Sequence, residues 1–319
     1  MELDILTYMK FIYPVLIALL VLEYLNAKHL FHLKETLASF GIAFGASVMA
    51  TFTKVAALGV FTYIFELTRP LRAEFLGYET IGWAWWAWIL CVICDDFSFY
   101  WHHRLSHNIR LLWAAHIPHH SAHQFNLTVS IRNGWFVTLY KPIFWLWLPL
   151  VGFEPFMIAT ALIINSVYQY FLHSQLVPSL GWYEKVFNTP YVHVVHHSSN
   201  TEYLDRNHGG ILLIWDKLFG TYQGIIKGLK PKYGVLHGPG NYNPITANTH
   251  EFASIWKDTR KSSKLKDKLM YIFGPPGWSH DGSTLTAKQM QAKMQETSID
   301  PQLSFLNTED RNEQIAKAS

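Results

Sequence analysis

Residues 80–107 read TIGWAWWAWILCVICDDFSFYWHHRLSH, a stretch that passes from apolar residues to paired aspartates and histidines. It opens as an apolar run carrying Trp83, Trp85, Trp86 and Trp88. At about 80–101 it has the roughly 20-residue length that crosses a bilayer. Its character then changes: Asp95 and Asp96 interrupt it, and it ends in His103 and His107, spaced HxxxH. On a helix, residues i and i+4 stand one above the other, so this pair can bind one ion from a single face. Ionisable side chains at membrane depth are costly and mark functional sites.

Two further blocks and a single histidine extend the pattern. They are His116-Ile117-Pro118-His119-His120, His173, and His193-Val194-Val195-His196-His197. Adjacent residues diverge by about 100° on a helix, so His119 and His120 can serve two different metals. A few such blocks can therefore hold a dinuclear centre. Neutral imidazole suits Fe, Zn, Cu and Ni. The two cysteines, Cys91 and Cys94, lie inside the apolar run, where a CxxC reads as core packing. That disfavours an iron–sulfur cluster, a Cys-type zinc site and a disulfide framework. His29, His32, His237 and His280 lack such company and read as ordinary histidines. Asp95 and Asp96, two turns before His103, are expected either to accept a ligand's second imidazole N–H or to face headgroups. Gln169 shares a helical face with His173 and is a candidate contact to a metal or a metal-bound water.

Composition points the same way. Half of the 319 residues are hydrophobic and only 15% are charged. Soluble domains carry nearer a quarter. The net charge of +3 does not imply a nucleic-acid partner. Other apolar runs cover about 9–27, 37–65 (interrupted by Lys54), 134–151 and 155–173. The last two, joined by Val151-Gly152-Phe153-Glu154-Pro155, read as a membrane hairpin that returns His173 and His193–His197 to the face of the first two blocks. Lys28, Lys34, Arg104, Arg110 and Arg132 share that face, whereas the opposite loop, 66–79, is mixed in sign. The positive-inside rule makes the histidine face cytoplasmic and puts the amino terminus, with Glu2 and Asp4, outside. No cleavable signal peptide is expected.

The expected fold is all-α: a polytopic membrane helical bundle with a cytoplasmic histidine-rich metal-binding cap. Residues 1–94 form N-terminal transmembrane helices. Residues 95–225 form the catalytic domain, including the hairpin at 134–173. Residues 226–319 form a cytoplasmic C-terminal region. There the basic stretch 257–268 (KDTRKSSKLKDK) reads either as a solvated helix face or as an interfacial helix on anionic headgroups. A short helix is expected at about 285–297, and disorder over the last dozen residues.

At these residues the chain resembles the fatty acid hydroxylase/sterol desaturase superfamily. The resemblance runs from about Asp95 to Tyr222 and is carried by DDFSFYWHHRLSH (95–107), LWAAHIPHHSAHQFNLTVSIR (112–132) and NTPYVHVVHHSSNTEYLDRNHGGILLIWDKLFGTY (188–222). The order HxxxH, HxxHH, HxxHH is the superfamily signature. Within it, the LWAAH…HHS run and YQYFLHS (168–174) are most similar to the alkylglycerol monooxygenases, which are tetrahydropterin-dependent ether-lipid hydroxylases. The resemblance implies two non-haem Fe ions, O2, an external reductant (tetrahydropterin in those relatives) and C–H hydroxylation of a lipid. It assigns His103, His107, His116, His119, His120, His193, His196 and His197 as catalytic metal ligands. His173 matches a further ligand position, and Gln169 stands where the superfamily often has a paired histidine. His123 and His208 depart from residues usual in these enzymes, acidic and Tyr respectively, and are candidates to support the ligands.

Three functions follow. The first is an O2-dependent lipid monooxygenase, its substrate an alkylglycerol or ether lipid, a fatty acyl chain or a sterol. Its lipid would enter laterally, lined by Trp135, Phe136, Phe144 and Trp145, aromatics that also serve as interface anchors. The second is a desaturase of the same superfamily. The third, from another class, is a histidine-lined metal transporter, which needs histidines distributed along a pore and not gathered at one face. The electron donor is not legible, and both a bacterial plasma membrane and the endoplasmic reticulum fit.

Overall fold

A computed structural model describes residues 5–299, with side chains from 10 to 296. Glu2, Asp4 and the final dozen residues lie outside the described residues. Helix α1 spans Ile5–Asn26, α2 Leu33–Leu76 and α3 Trp85–Asn108. Lys54 does not interrupt α2, which runs unbroken until Gly77 adopts a left-handed conformation (φ 76°) and stops it. Among the described residues α2 is the one helix long and apolar enough to cross a membrane. Helix α3 carries Asp95, Asp96 and the first histidine block, and the last apolar run forms a helix of only 17 residues.

Ile109 alone separates α3 from α4, Arg110–His120. Helix α5, Leu127–Ser130, is capped by Asn126, whose Oδ1 accepts from Thr128 N at 3.0 Å. The first limb of the expected hairpin departs from a single apolar span. It folds as α6 (Val137–Tyr140), a 3-10 turn (Lys141–Trp145) and α7 (Trp147–Leu150). Pro142 and Pro149 lack the N–H that a continuous helix requires. The return limb is continuous as α8, Pro155–Phe171. Beyond it lie α9 (Pro190–His196), α10 (Ile214–Leu218), α11 (Pro244–Asp258), α12 (Leu265–Phe273) and α13 (Ala287–Ile299). No β-strand occurs among the described residues, which hold one isolated bridge between Phe187 and Leu212.

The basic stretch 257–268 is not one helix. It contains the end of α11, a turn and the start of α12. Asp258, at the break, binds Lys261 (2.7 Å) and Arg110 (2.8 Å). The apolar core joins α2, α3, α7 and α8 through Phe61, Cys91, Trp145, Leu148, Met157 and Ile158. Cys91 is enclosed there as a small packing residue, and both cysteines are free. Away from the histidines, buried Arg72 of α2 donates to the carbonyls of Phe65 (3.0 Å), Glu79 (2.8 Å) and Pro149 (3.0 Å). It ties the long helix to the turn before α8. The end of α3, with α4, α8 and α9, then gathers the histidines.

Candidate metal centre

The three blocks and His173 converge, and they do so by interleaving. His103 and His107 come from the last turns of α3, His116, His119 and His120 from α4, and His193 and His196 from α9 with His197 just after it. One group contains His103, His107, His116, His120 and His196; the other contains His119, His173, His193 and His197. Within each group the ligand atoms lie within 4.8 Å of one another. Each HxxHH block is therefore split. His116 and His120 face one group and His119 the other, while His193 and His197 face the second group and His196 the first. This is the divergence of adjacent helical side chains, which sends them toward two different groups.

The local sequence explains the posture of each helix. Thr189 caps α9, its Oγ1 accepting from Val192 N, and Pro190 occupies the first turn, where its missing N–H is harmless. Arg132 holds the end of α4 by donating to Pro118 O (2.7 Å) and Ser121 Oγ (2.9 Å). Gly134 passes so close to the Ala115 carbonyl that a Cβ there would collide with backbone.

The donor set fits a metal. In the four-histidine group, His173 Nε2 lies 3.2 Å from His119 Nε2, 3.1 Å from His197 Nε2 and 3.3 Å from His193 Nε2. In the five-histidine group, His116 Nε2 lies 3.1 Å from both His103 Nε2 and His120 Nε2. An ion holding nitrogens at about 2.0–2.1 Å would space them about 3.0–3.4 Å apart. The Nε2 atoms of His107 and His196 are buried with no hydrogen-bond partner, a cost that a bound cation removes. All nine imidazoles are buried. Desolvation, reinforced by neighbouring imidazoles, pushes those of His116, His119, His120, His193 and His197 well below the usual histidine range. Neutral imidazole is the ligating form.

The far side of several rings is fixed by backbone. His103 Nδ1 meets His208 O at 2.9 Å, His196 Nδ1 meets Arg206 O at 2.8 Å, and His173 Nδ1 meets Gln169 O at 2.7 Å. Each contact assigns the proton to Nδ1 and turns Nε2 inward. His107 Nδ1 lies 3.4 Å from Asp205 Oδ1. The segment 205–208 is thus a bracket for the five-histidine group. It reaches its place through left-handed Asp205 (φ 55°) and Asn207 (φ 56°). Buried Asp216 clamps it, accepting from His208 N (2.8 Å), Gly209 N (2.7 Å) and Thr221 Oγ1 (2.7 Å).

Sequence reasoning missed Asp205, Arg206 and Asp216. The available signal was Asp205-Arg206-Asn207, with residues tolerant of positive φ between two histidine positions. The expectation for Asp95 and Asp96 is corrected, because both carboxylates have other partners. Asp95 accepts from Trp145 Nε1 (2.7 Å) and Asn165 Nδ2 (2.8 Å). Asp96 accepts from Ile211 N (2.6 Å), Leu212 N (2.9 Å) and Trp215 Nε1 (2.9 Å). They brace α3 against α8 and the 211–215 segment and do not touch an imidazole.

The remaining candidates fall in different places. His208 is fully buried, its ring centroid 5.0 Å from that of His107, with Nδ1 unpartnered. Gln169 also has a buried, unpartnered Nε2. His123 lies outside both groups, its N–H donating to Glu35 Oε1 at 2.6 Å. Trp135 donates its indole N–H to Ile42 O (2.9 Å), and Phe136 packs on Phe252. Phe144 lies against His102, and Trp145 is enclosed in the core.

Comparison with known proteins agrees with this geometry. Residues 88–221 match the fatty acid hydroxylase family model. The chain is 31% identical over 280 residues to human alkylglycerol monooxygenase, covering 85% of this chain and 60% of that protein. It is 34% identical over 205 residues to the Xenopus tropicalis enzyme of the same name, covering 63% and 45%. It is 31% identical over 140 residues to the ornithine lipid hydroxylase of Rhizobium tropici, covering 42% and 41%. The chain thus spans about half the length of the curated relatives it matches. No solved structure matches it. The three histidine blocks all fall, in order, within the matched residues, so residues 88–221 form a region similar to the fatty acid hydroxylase family.

Proposed function

We propose that the chain is an integral membrane, non-haem diiron monooxygenase that hydroxylates a lipid. The observation that carries this reading is the interleaved pair of imidazole groups. His103, His107, His116, His120 and His196 would hold one iron, and His119, His173, His193 and His197 the other. The irons, once bound, supply O2 activation. The protein orients Nε2 of His103, His173 and His196 through backbone carbonyls, keeps the imidazoles neutral and excludes water by burial. The unpartnered Gln169 amide is the side chain offered to a water at the four-histidine group.

The names of the relatives support an ether or amino-acid-containing lipid as substrate and a reductant outside the chain, with tetrahydropterin the first to test. Multi-pass insertion is supported by exposed apolar side chains along α1, α2 and α3, such as Phe44, Phe52, Val55 and Ile89. We place the histidine end in the cytoplasm. Arg110 and Arg132 are buried on internal partners, so that orientation leans on Lys28, Lys34 and the C-terminal lysines.

The deciding experiment is lipid mass spectrometry of cells with and without the protein under 18O2. One labelled oxygen added to a lipid supports hydroxylation and names the substrate. A product lacking two hydrogens and carrying no label would replace this reading with desaturation. No change in any lipid, with iron bound, would overturn both.

A further inference from the structure

Two cavities meet beside the four-histidine group, away from the aromatics expected to line a substrate path. The larger, about 370 Å³, is a cleft between α1 and the end of α8, lined by Leu19, Leu22, Leu127, Phe171, Val177 and Pro190. That volume lies in the range of small-molecule sites. The second, about 200 Å³, is lined by Val177, Pro190, Val194, Pro231 and Tyr233. Both cavities share Ser174, Val177 and Pro190. Ser174 follows His173, and Val194 follows His193. Glu23, on the wall of the cleft, fixes this junction by accepting from Ser174 Oγ (2.7 Å) and Leu127 N (2.7 Å). The outward side of α1 is apolar, with Ile17, Val21 and Leu25 exposed.

Two stacked rings link the second cavity to the histidines. Tyr233 stacks on Phe125 at 5.1 Å and 15°. Phe125 in turn lies 5.6 Å from the ring of His173 and 5.0 Å from that of His197. Phe125 is fixed from behind, its carbonyl accepting from Gln175 Nε2 at 2.6 Å. Tyr233, followed by left-handed Gly234 (φ 91°), is the ring of the pair that lines the second cavity.

We propose that the α1–α8 cleft admits one aliphatic chain of a membrane lipid from the bilayer, and that the Phe125–Tyr233 stack gates it onto the four-histidine group. The occupant follows from the cleft wall, which is mostly apolar apart from Glu23, Asn26 and Ser174, and from continuity between the apolar outward side of α1 and the candidate metal site. The gating half rests on the lipid-hydroxylase reading; the binding half does not.

The test uses the full-length, iron-loaded protein in nanodiscs and a long-chain fatty alcohol carrying a mid-chain diazirine. After photolysis, labelled peptides are mapped by mass spectrometry. Labelling is expected on 171–177 and around Tyr233. Leu22→Trp, on the exposed side of the cleft, and Val177→Trp, at the junction, are each expected to cut labelling around Tyr233 at least tenfold with bound iron unchanged. Should Val177→Trp lose iron, Leu22→Trp decides. Labelling confined to 135–145, or labelling around Tyr233 that survives Leu22→Trp, overturns the proposal. Photolabelling needs no turnover, so a labelled cleft in a protein that oxidises no lipid would sink the hydroxylase reading and leave the binding site standing.

Discussion

At the scale of single residues, the centre depends on which way each imidazole points. His119 is the one member of its block that faces the four-histidine group. His119→Ala should therefore abolish lipid oxidation and lower the iron bound per chain, read by elemental analysis. Unchanged iron would mean that the four-histidine group is not a metal site. Asp216 acts through others, holding the 205–208 bracket whose carbonyls orient His103 and His196. Loss of such supporting groups typically costs about 10–100-fold in metal affinity. Asp216→Ala is expected in that range by competition with a chelator, with Asp216→Asn milder because it retains one acceptor oxygen. His280 pairs with the Tyr271 hydroxyl (2.8 Å), far from both groups, and His280→Ala should leave iron and activity unchanged. The eight histidines of the blocks were legible as candidates from their spacing, while their assignment as ligands, and that of the single His173, came from the resemblance. The bracket was not: its contacts are backbone carbonyls, which every residue carries, and only the left-handed Asp205 and Asn207 hinted at a special path.

At the scale of elements, the helices are held by a few buried polar ties. Arg72 satisfies carbonyls of α2, of the loop after it and of α7 at once. Leaving such groups without a partner costs about 1–3 kcal/mol each. Arg72→Met should lower the thermal midpoint in detergent clearly, with iron per folded chain unchanged, because the tie lies away from the histidines. Thr189→Ala removes the α9 cap, worth about 1 kcal/mol. It should also disturb the iron spectrum, since His193 stands in that helix. The order of helices was readable from apolar runs and their breaks. The broken limb at 137–150 carries Pro142 and Pro149, but α2 runs unbroken through Pro70, so proline alone did not mark the break in the sequence. The roles of Asp95 and Asp96 were not readable, because their partners, Trp145, Asn165 and the 211–215 segment, are distant in sequence.

At the scale of the whole molecule, burying so many imidazoles sets a dependence on acid. Burial holds His116, His119, His120, His193 and His197 well below the ordinary value, which is near 6.5 in an unfolded chain. Unfolded imidazoles therefore take up protons that the folded protein keeps off. Stability from this source is present above about pH 6.5 and is lost as the pH falls below it. Metal retention moves the same way, because protons compete for the ligand nitrogens. Dialysis at pH 5.5 should strip iron and lower the thermal midpoint relative to pH 7.5. Equal retention at both values would contradict this account.

The split of the two HxxHH blocks also bears on how the irons arrive and leave. Helix α4 and the α9 segment each reach into both groups, so the two groups share part of their scaffold. If each group holds a metal, seating one would order the two helices that the other needs, and removing one would loosen both. A chelator titration should then run sigmoidally, with few chains caught holding a single iron, and the loaded pair should behave as one unit of assembly.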